Sequence, residues 1–270
     1  MTATTADVTL RCLSSAEDFE ACVELQKVIW GRDFSDVVPL SILKINQKVG
    51  GVSAGAFRAD GRLVGFVWGL TGVRGGRPFH WSHMLGVAPE ARDLKLGERL
   101  KWFQRDLLLP LGVEEVEWTY DPLEARNAHL NLNKLGVEVK EYVEEMYAGE
   151  MFSDLARGIG TDRFIVRWPI AAPRVEAFRR GETAGEDQAF AGSPIVGIEA
   201  AAESVPLPDA REVRVEIPAD VQAVKTERPD LAAAWRASTR RAFCHYFGRG
   251  YRVTAYLRAG DSRFYGLAAS

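Results

Sequence analysis

The sequence predicts an α/β fold: a mixed sheet with helices on both faces, followed by a small β-α-β-β extension. Three observations carry this prediction. Segments with strand patterning alternate with segments of 3.6-residue periodicity in the order β-α-α-β-β-β-α-β-α-β-β. A strand runs into a Pro turn and then a helix at residues 84–100. Composition shifts after Pro169 toward Ala, Gly, Glu and Pro, and regular patterning returns at Val213. The expected organisation is therefore a first domain over residues 1–170, a linker with loosely ordered pieces over 171–211, and an extension over 212–270. Three or four strands and one helix bury too little to be stable alone. The extension is expected to pack on the first domain or on a second subunit.

The elements follow from local signals. Val8–Cys12 is short and β-branched, and reads as an edge strand. Ser14, Ser15, Glu17 and Asp18 supply an N-cap and early acids for a helix carrying Phe19, Cys22, Val23, Gln26 and Trp30 along one side. Pro39 opens a second helix through Ile42, Leu43 and Ile45, which Gly50 and Gly51 stop. Residues 52–58 and 62–71 flank Ala59-Asp60-Gly61, a hairpin signal. Residues 72–78 read as a loop, with a hairpin as the reading of Arg74-Gly75-Gly76-Arg77. Residues 79–87 form the next strand.

In residues 94–109, Leu96, Leu100, Phe103 and Leu107 recur at helical spacing until Pro110. Residues 113–120 alternate as a strand. Residues 124–135 make a short helix closed by Gly136, and residues 137–148 and 163–168 make two more strands. In the extension, 213–217, 251–257 and 264–267 read as strands around a helix at 229–247. Within the linker, 173–180 reads as a helix and 194–198 as a weak strand.

Charge and composition exclude several classes. The chain has 270 residues, with 34 Lys and Arg against 37 Asp and Glu, a formal net charge of −3. That balance leaves no broad basic surface for nucleic acid. No apolar run approaches the roughly 20 residues that cross a bilayer, and residues 1–9 lack the pattern of a secretion signal. Three widely spaced cysteines, Cys12, Cys22 and Cys244, give neither a disulfide framework nor a thiolate metal site. The expectation is a cytoplasmic protein with no metal, no nucleic-acid partner and no membrane association.

The most informative stretch is Met84 to Leu100. A helix start exposes free backbone N–H groups and a partial positive charge, which suit a pyrophosphate. Gly97 lets a phosphate approach the backbone, and Arg92 and Lys95 add fixed charge. The same stretch also reads as a plain strand-turn-helix connection.

This run, Arg92-Asp93-Leu94-Lys95-Leu96-Gly97 after the Val87-Ala88-Pro89 strand end, resembles the acyl-CoA-binding signature of the GNAT N-acyltransferase superfamily. The run from Asn127 to Gly136 resembles that superfamily's Asn…Leu-Tyr-x-Lys-Leu-Gly-Phe helix. Asp121-Pro122-Leu123 and Thr161-Asp162-Arg163 look like a branch of it with a C-terminal extension. The resemblance spans residues 8–168 and implies a GNAT-like fold. It also implies transfer of an acetyl or other short acyl group from acyl-CoA directly to an amine, with a small-molecule amine as acceptor. It places the donor on Leu85, Gly86, Val87, Arg92, Asp93, Leu94, Lys95, Leu96, Gly97 and Asn127.

Two positions depart from the pattern. Lys95 stands at the signature's first glycine. Leu132 stands where the superfamily has the tyrosine that protonates the departing thiolate, and leucine donates nothing. Direct transfer still needs a base for the acceptor ammonium. His83, on the donor strand, and Asp121, at the end of the next strand, are the candidates. Each also has a structural reading, His83 as a half-buried histidine beside Trp81 and Asp121 as an N-cap before a turn. The alternative function is a non-catalytic acyl-CoA-binding or assembly protein, and a homodimer is the expected oligomer if there is one.

Overall fold

The computed structural model describes residues 7–147, 154–182 and 190–270. They fall into two compact units. The first holds the chain through Trp118, with Asp154 and Trp168–Glu176; the second holds Thr119–Gly149, Leu155–Arg167 and Ala177–Ser270. The division falls inside a strand, well before the composition break near residue 170.

The first unit opens with β1 (Val8–Cys12), α1 (Ala16–Trp30) and α2 (Leu40–Lys48). The start of α1 is a reciprocal capping box. The Ser15 side chain accepts from the Asp18 N–H, and the Asp18 side chain reaches back to the cap backbone. Such a cap is worth about 1 kcal/mol. Next come β2 (Val52–Arg58), β3 (Leu63–Arg74), β4 (Arg77–Val87) and α3 (Leu96–Leu108). Strands β1 to β4 pair in sequence order, all antiparallel. Residues 63–69 of β3 are buried without alternation, as a strand covered on both faces requires.

The loop expected over residues 72–78 is instead paired strand. β3 continues to Arg74 and β4 starts at Arg77, joined by Gly75 and Gly76 with φ of 59° and 77°. Two consecutive left-handed residues are what a tight hairpin of matching twist demands, and glycine adopts them without a Cβ penalty.

β5 (Val116–Tyr120) straddles the two units. Its Val116 and Glu117 pair in parallel with His80 and Trp81 of β4. In the second unit, α4 (Ala125–Ala128) continues into a π-helical turn, His129–Leu135, which closes at Gly136 with φ 66°. β6 (Glu138–Val143) and β7 (Arg163–Trp168) follow as an antiparallel pair. The strand expected to reach Ala148 stops at Val143, and Ala148 itself lies outside the described residues. The large mixed sheet has the order β1-β2-β3-β4-β5-β7-β6.

After α5 (Pro173–Arg180) come β8 (Ile195–Val196) and a 3-10 turn at Ile198–Ala201. β9 (Glu212–Ile217), α6 (Val221–Glu227), α7 (Pro229–Gly248), β10 (Tyr251–Ala259) and β11 (Ser262–Ala269) complete the chain. The short α6, capped by the Asp220 carboxylate, was not visible in the sequence pattern. The second sheet has the order β10-β11-β9-β8. Phe243 of α7 packs on Phe164 of β7 with ring centroids 4.7 Å apart, and Tyr265 of β11 meets the same ring at 5.3 Å. This aromatic packing joins β7 to the C-terminal segment, which composition does not register.

The two sheets share a connectivity. In β4-β5-β7-β6 a parallel pair is followed by a hairpin whose second strand returns beside the centre, and β8-β9-β11-β10 repeats that order, with β8 parallel to β9.

Candidate active site

The first unit gathers most of the residues singled out in the sequence at the far end of β4. Between Trp68↔Met84 and Leu70↔Trp81 the β3–β4 register shifts, so that Ser82 and His83 stand opposite the single residue Gly69. This is a β-bulge, which bends a strand and re-aims side chains. β4 pairs with β5 only through His80 and Trp81. Beyond that rung and the bulge, Met84 to Val87 keep their β3 partners, while the other edge leaves the ladder. The strands therefore form a fork whose β4 prong contains Leu85, Gly86 and Val87.

At the end of this prong the Ala88 N–H donates to Val64 O, and a 3-10 turn, Pro89–Leu94, leads into α3. Lys95 is the N-cap of α3 in left-handed backbone, φ 52° and ψ 27°, and its side chain makes no cap hydrogen bond. The signature's first glycine position thus needs the conformation glycine favours, and this chain meets it with lysine. Arg92, Asp93 and Lys95 are exposed, Leu94 and Gly97 half-buried, and Leu96 buried. Uncapped N–H groups at the start of a 13-residue helix, with two exposed cations on the approach, suit a diphosphate.

His83 lies on the bulge. Its ring meets Trp68 edge-on at 5.5 Å, and Nε2 is 3.7 Å from Oδ2 of Asp36 in the loop between α1 and α2. Burial pushes the imidazole below its ordinary value, and Asp36 opposes that shift. That direction favours the neutral imidazole, and a quarter of the side chain is open to solvent. Trp30 and Phe34 pack at a tilt beside the loop that carries Asp36, with centroids 5.5 Å apart. Gly86 is required by the same packing: a Cβ there would come within 2.6 Å of Ile29 Cδ1 and 2.9 Å of Phe66 Cε1.

Asp121 and Asn127 lie in the second unit. Asn127 is exposed on α4. The Asp121 carboxylate is committed: Oδ1 accepts the Leu123 N–H at 2.9 Å, and Oδ2 accepts from Arg236 at 2.6 Å and stands 3.6 Å from Arg163. Leu132 is buried in the π-helical turn.

The sequence reading missed a polar chain beneath the bulge. Lys101 Nζ donates to Ser82 Oγ at 2.7 Å, Ser82 Oγ donates to Gln104 Oε1 at 2.9 Å, and Gln104 Nε2 lies 3.0 Å from His80 Nε2. Because Nε2 of the amide can only donate, His80 Nε2 accepts, and the His80 proton sits on Nδ1, which donates to Thr71 Oγ1 at 2.8 Å. The expected helix face explains the miss. Phe103 and Leu107 are only half-buried, and the fully covered face carries Leu96, Leu100, Lys101, Gln104, Arg105 and Leu108. The usable signal was Gln104, which interrupts the four-residue ladder Leu96-Leu100-Leu108.

A shallow cavity of about 440 Å³ opens elsewhere in the first unit, lined by Glu17, Glu24, Val28, Phe57, Arg62 and Glu90 among others, and it includes neither His83 nor Lys95. Among the described residues no group of three or more His, Cys, Asp or Glu is placed to hold a metal ion, and no helix is long and apolar enough to cross a membrane.

The first unit thus combines a forked sheet, a bulge at the fork and a helix that starts at the end of the bulged strand. No family model matches the sequence, and no curated protein matches it. Solved structures similar to the chain include the NatC complex bound to Gag peptide and CoA, at 13% identity and TM-score 0.48, covering 60% of this chain and 98% of that one. The ribosomal-protein-S18-alanine N-acetyltransferase from Escherichia coli is similar at 17% identity and TM-score 0.45, covering 61% and 95%. A GNAT phosphinothricin acetyltransferase from Sinorhizobium meliloti, in complex with AcCoA, is similar at 17% and 0.46, covering 60% and 88%.

Proposed function

We propose that the protein is a GNAT-type N-acyltransferase that moves an acetyl or other short acyl group from acyl-CoA to a small-molecule amine. The observation that carries this reading is the fork: an unpaired β4 edge from Ser82 to Val87 that ends at the uncapped start of α3. The pantetheine arm lies along Leu85, Gly86 and Val87, and the pyrophosphate meets the turn from Arg92 to Gly97. A backbone N–H on that prong faces the thioester oxygen, where charge develops during transfer.

His83 is the base. Its neutral imidazole takes a proton from the acceptor ammonium, the amine nitrogen bonds to the acyl carbon, and the carbon–sulfur bond breaks. The second proton of the attacking nitrogen passes through water to the departing thiolate, since Leu132 supplies no donor. Asp36 holds the imidazole and draws a cationic amine toward it; half of its side chain is exposed. Asp121, the other candidate base, is given a holding role by its two arginine partners. The compartment is cytoplasmic in this reading.

A second reading, an acyl-CoA binder without turnover, is favoured by one observation: the buried Leu132 at the acid position. Two experiments separate the readings. Calorimetric titration with CoA is expected to give binding that Gly97→Glu weakens about tenfold, roughly 1.4 kcal/mol. Release of free thiol from acetyl-CoA with a panel of amines is expected to fall about 10²-fold in His83→Gln at unchanged CoA affinity. Binding without thiol release for any amine selects the second reading, and no heat with CoA removes both.

A further inference from the structure

We propose that Lys101 is a positioning residue that holds the β4–β5 fork open, acting through Ser82 on the bulge that carries His83. The last rung of the ladder is Trp81 against Glu117. The next residue on each strand is Ser82 and Trp118, and the Lys101 amine touches both. Nζ is 2.7 Å from Ser82 Oγ and 3.5 Å from the centroid of the Trp118 ring. The amine therefore sits at the vertex where the strands part. Lys101 is only 2% exposed, so its stem has been threaded through the core to bring a polar head to this one point.

A buried amine is costly and persists only where its hydrogen bonds are met. Here two are identified, to Ser82 and, at 3.5 Å, to Gln104. The Trp118 face closes the remaining side of the amine, 3.5 Å from Nζ. Ser82 is one of the two residues of the bulge, and its hydroxyl is saturated on both sides, accepting from Lys101 and donating to Gln104. Gln104 in turn fixes His80, which lies on the last paired rung. The chain His80-Gln104-Ser82-Lys101 thus clamps β4 on both sides of the point where it leaves β5. With no amine, Ser82 keeps only its bond to Gln104 and Trp118 is free to approach β4, so the ladder can extend past Trp81. That extension would consume the edge on which the proposed CoA site depends and would re-aim His83.

The consequence for CoA rests on the proposed function, but the geometry can be tested without ligand. The two variants are Lys101→Met, which keeps the length and removes the amine, and Ser82→Ala, with Ser82→Thr as the version that keeps a hydroxyl. Hydrogen exchange on unliganded protein is expected to show Ser82 and His83 amides protected at least tenfold more in Lys101→Met than in wild type. Ser82→Ala is expected to move in the same direction, and Ser82→Thr to return to the wild-type pattern. Calorimetry is then expected to show CoA affinity down at least tenfold in Lys101→Met and Ser82→Ala, restored in Ser82→Thr, with melting temperatures at or above wild type for Lys101→Met. A role in packing alone would change melting without this pattern. Unchanged exchange at residues 82–87 in a folded Lys101→Met overturns the proposal; if that variant does not fold, the Ser82→Ala and Ser82→Thr pair decides in the same way. Wild-type protein that ignores CoA while the variants still shift exchange would overturn the CoA site and leave the fork mechanism standing.

Discussion

Arg236 donates from Nη2 to Oδ2 of Asp121 at 2.6 Å, and both side chains are about nine-tenths buried. The Arg236 Nε donates to Ile159 O at 2.8 Å, so the guanidinium ties the end of β5 to the segment before β7. Removing one partner of a buried pair strands the other charge. Asp121→Asn is therefore expected to cost about 3 kcal/mol of unfolding free energy in urea titration. The double variant Asp121→Asn with Arg236→Met is expected to recover most of the loss. If the single variant is as stable as wild type, the carboxylate is not structural and returns as a base candidate.

The way Asp121 was legible and illegible in the sequence is instructive. Its position at a strand end was readable from the alternation over residues 113–120 and the Asp-Pro turn. Its partner was not, because Arg236 comes 115 residues later on a helix that reads as an ordinary amphipathic segment. Local elements such as the Ser15 cap, the Gly136 stop and the strand before Pro89 are written in contiguous residues and are visible there. The β-bulge at Ser82 and His83 is a register relation between two strands, so no pattern within β4 alone encodes it. The same holds for Asp36, whose meaning comes only from its approach to His83.

His80 gives the molecule a pH dependence of predictable sign. It is fully buried, and burial first, then Lys101, push its imidazole from 6.5 down to about 3. The folded state therefore refuses a proton that the unfolded chain accepts below about pH 6.5. Stability from this group is complete above pH 6.5 and is lost as pH falls from there toward 3. Between pH 7 and pH 5 the loss is about 2 kcal/mol. Urea unfolding at the two pH values is expected to show this difference in wild type and to lack it in His80→Asn. An equal difference in both proteins would show that the acid sensitivity arises elsewhere.

Lys95 tests whether the turn before α3 is strained. A residue with a Cβ in left-handed backbone costs about 1 kcal/mol, more if it is β-branched. Lys95→Gly is expected to melt at or above wild type, and Lys95→Val clearly below it. In CoA titrations at low salt Lys95→Gly is expected to bind less tightly than wild type, with the gap closing as salt screens the lost charge. Tighter binding at every salt concentration would mean that the lysine stem obstructs the phosphates instead of meeting them.

The residue opposite the bulge is as constrained as the bulge itself. A Cβ on Gly69 would lie 2.3 Å from His80 Nε2 and 2.6 Å from the carbonyl oxygen of Trp81. The first neighbour is pinned by Gln104 and the second is backbone at the last β4–β5 rung, so neither yields cheaply. Gly69 O also accepts from Asn46 Nδ2 at 2.8 Å, which fixes the peptide from the other side. Overpacking of this kind costs about 1–3 kcal/mol, and here the upper end is expected for Gly69→Ala. Three residues along the same strand, Gly72 has open space where its Cβ would go. Gly72→Ala is therefore expected to stay within about 0.5 kcal/mol of wild type, as surface substitutions do. Thermal melts of the two single variants make the comparison with the chemistry of the substitution held constant. Equal melting temperatures would mean that β4 can shift away from Gly69, and that the fork is softer than the contacts around it indicate.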